Sequence, residues 1–181
     1  MVVAGLSLAA LVMLSGAMHE DGLADTADGL WGGHDRDRRL EIMKDSRIGA
    51  YGVLGLILVM GLRWLGLAEV TWTGLITAAV VSRAMMAPVM LALPHARASG
   101  LAHSVGVPGQ GPVVGGGLIA IILAMLLSGG AGVLAVAVAA GVAVAVAAVA
   151  RAKSGGQTGD ILGAVQITTE IAVLLTLAAA Q

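Results

Sequence analysis

Three aspartates, Asp21, Asp25 and Asp28, stand at i, i+4 and i+7 in the stretch "HEDGLADTADGLWGGHDRDRRLEIMKDSR", residues 19–47. On a helix turning 100° per residue they share one face within about 60°. Three carboxylates on one face repel at neutral pH unless a cation sits among them. Oxygen donors without His or Cys suit a hard divalent ion such as Mg²⁺. Glu41 and Asp45 repeat the i, i+4 spacing after the "WGG" break at 31–33, on what reads as a second short helix. The two helices together could hold one or two ions. Lys44 and Arg47 stand nearby to bind phosphate oxygens, and a metal beside clustered cations is the usual arrangement for phosphoryl transfer. A solvated loop of mixed charges is the plain alternative. Against it, Glu20, Asp21, Asp25 and Asp28 come first with no basic partner among them. Asp35 and Asp37, set among arginines, read as a solvated connector, and the glycine and glutamate offsets of an EF-hand are missing.

The rest of the chain must position that segment, and it is very apolar. Hydrophobic residues make up 58% of the 181 residues and charged ones 12%, too little polar surface for a soluble domain. The fold class expected is an all-α, polytopic membrane helix bundle, a single domain over 1–181 with about six spans. The spans read as 1–18, 48–67, 72–93, 113–128, 131–150 and 161–180. The first reads as a retained helix rather than a signal peptide, because no Lys or Arg precedes position 36. Arg63 and Trp64 end the second span, where snorkelling to the interface is cheap. The "AVAV" alternation in 131–150 mimics a strand, but twenty unbroken apolar residues argue for a helix in lipid. Six spans place loops 19–47, 94–112 and 151–160 on one side. They hold eight of the ten basic residues, which puts that side in the cytoplasm. A formal net charge of −1 leaves no electrostatic footprint for nucleic acid. With no cysteine there is no thiolate site.

Several further residues could serve a site. Arg83 and Glu170 lie at equal depth from the polar side, about 15 Å, with opposite sign. They read as an ion pair, or Arg83 reaches the substrate while Glu170 pairs elsewhere. His19 could orient a carboxylate, donate to phosphate, or simply end a helix. His95, Arg97 and His103 read either as substrate contacts or as a polar interfacial loop. "SGGQTGD" opens the last helix, so Asp160 is either a site residue or an N-cap. Gly52, Gly55, Gly115, Gly117, Gly141 and Gly163 read as packing positions. The residues leave open whether several copies associate into a homo-oligomer.

The block "HEDGLADTADGLWGGHDRDRRLEIMKDSRIGAYGVLGL" closely resembles the signature of the cobalamin synthase (adenosylcobinamide-GDP ribazoletransferase) family. The likeness continues through "SRAMM…LPHARASGL" at 82–101 and "SGGQTGDILGAVQITTE" at 154–170. It covers most of the chain, in the family's order. One apolar segment precedes the block here, where family members carry a longer N-terminal region. The resemblance implies an Mg²⁺-dependent transferase of the prokaryotic cytoplasmic membrane. Such an enzyme joins adenosylcobinamide-GDP to α-ribazole or its 5′-phosphate and releases GMP. It further implies Asp21, Asp25, Asp28 and Asp45 as the acidic metal positions, with Asp45 or Glu41 as base or second-metal ligand. Lys44 and Arg47 would offset phosphate charge, and His19, Arg83, His95, Arg97 and Asp160 would contact substrate. Two other readings stand beside it. A CDP-alcohol phosphotransferase is echoed by Asp25-Thr-Ala-Asp28-Gly29, but Gly32 and Gly33 stand where its Ala-Arg is expected. A divalent-cation transporter would need polar groups along a path to the far side, where the sequence offers almost none.

Overall fold

A backbone in hydrocarbon must satisfy its N–H and C=O groups within itself, so long apolar runs fold as helices. The computed structural model describes residues 1–181, the side chain of Leu101 apart. Its elements are α1 (Val2–Ser15), α2 (Met18–Gly32), α3 (Arg36–Ile42), α4 (Ala50–Glu69), α5 (Trp72–Ala92), α6 (Leu101–Val105), α7 (Gln110–Ser154) and α8 (Gly159–Ala179). The strand-like "AVAV" run lies inside α7, and among the described residues no strand forms. Four helices (α4, α5, α7 and α8) are long and apolar enough to cross a membrane, five spans if α1 and α2 count as one bent pair. The protein is therefore a polytopic helical membrane protein.

Three of the expected spans change shape. The stretch 1–18 is not one spanning helix. α1 has 14 residues, about 21 Å at 1.5 Å per residue, shorter than the roughly 30 Å hydrocarbon core. It ends at Gly16 and Ala17, both left-handed (φ 62° and 57°), and α2 leaves at 86°. The fourth and fifth stretches are limbs of α7, broken at Gly129 (φ 58°, ψ −142°). Glycine reaches that region without a side-chain penalty. A methyl at Gly132 would collide with the Ala124 carbonyl oxygen, so the limbs 110–128 and 130–154 turn back tightly on one another.

α8 is the axis of the bundle. Val165, Ile167, Val173 and Leu174 are fully buried, as expected of a helix apolar on every side. It packs against α2, α4, α5 and α7. Large apolar residues such as Leu54, Ile57, Leu118, Ile122 and Leu126 point outward, where lipid covers them. Of the six packing glycines expected from sequence, Gly52 and Gly163 do lie in tight contacts. Gly115, Gly117 and Gly141 have nothing within 4 Å, and Gly55 meets Ala27 at an ordinary distance.

The expected Arg83–Glu170 pair does not form. Glu170 is paired with Arg63, whose Nη2 lies 2.9 Å from Glu170 Oε1 and whose Nη1 donates to Glu20 Oε1 at 2.5 Å. Gln166 donates to the other Glu170 oxygen at 2.6 Å. Arg63 is thus 3% exposed and does not snorkel outward. Its reach is inward because two carboxylates from α2 and α8 face that side of α4. Arg83 is exposed on α5 and donates to the Ala79 carbonyl at 2.9 Å.

Candidate active site at the acidic end of the bundle

After its right-angle turn from α1, α2 packs against α8 and α4. Its glycines allow this: a methyl at Gly22 would press on the Asp160 backbone at 2.9–3.0 Å, and one at Gly163 would meet the His19 backbone at 3.2–3.3 Å. Near its other end, Asp28 sits over the first turn of α4. The Asp28 carboxylate accepts from Gly49 N at 2.6 Å and Gly52 N at 2.9 Å. Both glycines are required, because a side chain at either would strike that carboxylate. Asp28 therefore works as the cap that α4 otherwise lacks. Of the three aspartates on one helix face, Asp28 is turned to backbone donors, whereas Asp21 and Asp25 line the cavities described below.

α3 is fixed beneath the same end. Asp35 is its N-cap and accepts from Arg38 N at 2.9 Å. That bond holds the Asp35 carboxyl below the usual carboxylate range. Asp35 is thus a cap and not a passive connector. Arg36 donates to the carbonyls of Ser154 (3.0 Å) and Ala96 (2.8 Å). Arg39 donates to those of Gly33 (3.0 Å) and Lys153 (3.1 Å). Lys153 returns a bond to Leu30 O at 2.9 Å and lies 4.4 Å from the Trp31 ring centre. These contacts bind segments 33–39, 94–97 and 151–157 together at one end.

Two cavities open there, and Asp21 lines both. The first, about 500 Å³, is walled by Glu20, Asp21 and Asp25 of α2 and by Lys44, Asp45 and Ser46 of the α3–α4 link. Asp45 does not share a helix with Glu41, since α3 ends at Ile42. The expected second short helix forms as α3 and carries Glu41, but Asp45 lies beyond its end. Glu41 points to solvent and takes Arg38 at 2.7 Å. Asp45 engages Arg47, whose Nη2 lies 2.6 Å from Oδ2. The Arg47 hydrogen bonds hold the Asp45 carboxyl below its usual range and raise the arginine in return. Of the predicted catalytic residues, Asp45 and Lys44 line this cavity. Glu41 and Arg47 do not.

The second cavity, about 240 Å³, lies between the 94–105 segment and the start of α8, and His95, Arg97, His103, Gln157 and Asp160 line it. Backbone bonds Ala96 N to Gln157 O (2.9 Å) and Gln157 N to Pro94 O (2.8 Å) hold its walls together. Gly156 is needed at this junction, because a side chain there would collide with Pro94 O. Arg97 pairs with Asp160 at 3.2 Å and donates to Leu40 O at 3.2 Å. Asp160 is not the α8 cap. Thr158 is, accepting from Ile161 N at 3.2 Å. The structure brings His95, Arg97 and Asp160 together, but Arg83 lines neither cavity. His19 is half-buried in the first turn of α2, within electrostatic reach of Arg83 and Glu20.

The family model for cobalamin-5-phosphate synthase matches residues 1–178. The chain belongs to the cobalamin-5-phosphate synthase family. Among its relatives, the adenosylcobinamide-GDP ribazoletransferase of Rhizobium meliloti (strain 1021) is 47% identical, over 97% of this chain and 72% of its own length. That of Bradyrhizobium diazoefficiens is 44% identical, over 97% and 70%. That of Mesorhizobium japonicum is 40% identical, over 95% and 68%. No solved structure matches the chain. Sequence reasoning missed the contacts of Arg36, Arg39 and Gln157 around the cavities and the Glu20–Arg63–Glu170 cluster. Glu20 and Arg63 carried a signal, a charge in an apolar or helical setting. Gln157 carried none, because a glutamine in a Gly-rich loop is ordinary.

Proposed function

We propose that this chain joins adenosylcobinamide-GDP to α-ribazole or its 5′-phosphate and releases GMP, giving adenosylcobalamin or its phosphate. Family membership over nearly the whole chain carries the reading, and it favours neither a CDP-alcohol phosphotransferase nor a cation transporter. In the reaction a ribose hydroxyl attacks the cobinamide-side phosphorus, a P–O bond forms, the bond to GMP breaks, and the hydroxyl proton leaves. Cavity geometry supports a division of labour. Asp21 and Asp25 face one chamber with Lys44, and Asp21 also borders the chamber of His95, Arg97 and Asp160. Diphosphate in the first chamber therefore has a nucleoside-sized chamber beside it.

The donor set fits Mg²⁺. Among the described residues no three His, Asp or Glu side chains converge on one point, and Asp21 and Asp25 accept no hydrogen bond. A Mg²⁺ ion characteristically takes one or two carboxylates and fills its shell with water and substrate phosphates. Asp21 and Asp25 would hold it, and it would neutralise charge on the diphosphate oxygens. Lys44 would meet a phosphate oxygen directly. The grouping of basic residues at this end supports a cytoplasmic orientation in a bacterial inner membrane. The decisive experiment supplies both substrates to membranes holding the chain and measures GMP. CMP release from a CDP-alcohol, or no GMP from an intact chain, would overturn the reading.

A further inference from the structure

Two buried polar atoms beside the smaller cavity have no partner among the described residues, and they are opposite in character. Gln157 is 1% exposed and lines the cavity. Its Nε2 lies 2.9 Å from His95 Nδ1, while its Oε1 is buried and unbonded. Arg97 lines the same cavity. Its Nη1 and Nη2 are taken by Asp160 and Leu40 O, while its Nε is buried with no acceptor. The great majority of buried polar atoms in native proteins are paired. Backbone bonds from Gln157 to Ala96 and Pro94 fix its main chain at the cavity wall. An acceptor and a donor left open at one cavity call for a ligand edge that offers both.

We propose that this cavity is the guanine-recognition subsite. Gln157 Oε1 accepts from the N1–H or N2 amino group, and Arg97 Nε donates to O6. Guanine presents donors and the O6 acceptor side by side. The proposal rests on the reading above that the donor substrate carries GDP. Three other parts of the substrates fit less well. The benzimidazole of α-ribazole has no N–H to give Gln157. A corrin macrocycle is far larger than about 240 Å³. The adenosyl group is not joined to the diphosphate, whereas the guanosine is, and Asp21 makes the two chambers neighbours. His95 and His103, edge to face with centroids 5.2 Å apart, add an aromatic flank for a planar base.

The test is equilibrium binding of GDP and of ADP, each with Mg²⁺, to the full chain in lipid nanodiscs. GDP is expected to bind at least about tenfold tighter than ADP. Gln157→Leu should lose that factor for GDP and leave ADP unmoved. Gln157→Glu, which keeps an acceptor oxygen, should retain the preference and covers the case in which the leucine variant does not fold. Equal affinity for GDP and ADP in the unaltered chain would overturn the subsite. So would competitive displacement of GDP by α-ribazole, or an equal loss for both nucleotides in Gln157→Leu. The two readings fail separately. A GDP preference without GMP release sinks the transferase reaction alone. GMP release without base preference sinks the subsite alone.

Discussion

Arg63 and Glu170 form an ion pair in the core, Nη2 to Oε1 at 2.9 Å, with both side chains 4% exposed. Glu20 shares the same guanidinium from the other side. Removing the arginine leaves two buried carboxylates unpaired, and breaking such a pair typically costs about 3–5 kcal/mol. Arg63→Leu should therefore lower Tm sharply in detergent. Arg63→Leu with Glu170→Gln should recover part of the loss, because one of the stranded charges is gone. A double variant no more stable than the single one would contradict this account.

Asp28 and Asp21 should separate by their phenotypes. Asp28→Ala strips the cap from α4 and should cost about 1–3 kcal/mol of stability, read as a drop in Tm. Asp21→Asn and Asp25→Asn remove mutual repulsion, so Tm should stay level or rise. GMP release should nevertheless fall about 10²-fold or more in both, with a weakened response to Mg²⁺. The opposite pattern, a stable inactive Asp28→Ala and an unstable active Asp21→Asn, would reverse the assignments.

Asp45 is not expected to serve as the general base. A base works best with a pKa near the working pH, and Arg47 holds the Asp45 carboxyl below its usual range. The folded value is depressed, so the contact with Arg47 is present above the ordinary carboxylate value of about 4. It is lost as pH falls through the folded one. Asp45→Asn should accordingly leave the acid limb of the pH–rate profile in place and lower turnover by less than about tenfold. Disappearance of that limb in the asparagine variant would make Asp45 the base after all.

Gly156→Ala should damage the site without touching a charged residue. The added methyl collides with Pro94 O and forces apart the two bonds that join segments 94–96 and 157. Loss of GMP release, with only a small change in Tm, is the expected outcome. Wild-type turnover in this variant would show that the loop junction is not part of the working site.

How much of this was legible in the sequence differs residue by residue. Apolar runs dictated helices, because a backbone in lipid has no other partner than itself. The i, i+4 spacing of Asp21 and Asp25 placed them on one face of α2, and both do line one cavity. The gap between the spans read at 113–128 and 131–150 is real, and Gly129 supplies the break. Asp28 obeyed the same spacing and yet went elsewhere. Spacing fixes which way a side chain leaves its helix, but it cannot say that the first turn of α4 will lie beneath it. Arg83 and Glu170 matched in depth and sign, and still the partner was Arg63. Depth is a property of one helix, whereas contact depends on which helices are neighbours.

The sequence by itself determined that this protein is a helical membrane bundle with an acidic helix and its basic residues gathered at one end. Hydropathy and spacing are local, and they act before any two helices meet. Only the tertiary structure decided that α1 stops short and α2 turns off at a right angle, that Arg63 bridges Glu20 and Glu170, and that Gln157 and Arg97 line one cavity, each with a buried unpartnered hydrogen-bonding atom. Those outcomes depend on close approaches between segments more than a hundred residues apart for Arg63 and Glu170. Such approaches are settled by glycine contacts and by competition among buried charges for the same partner.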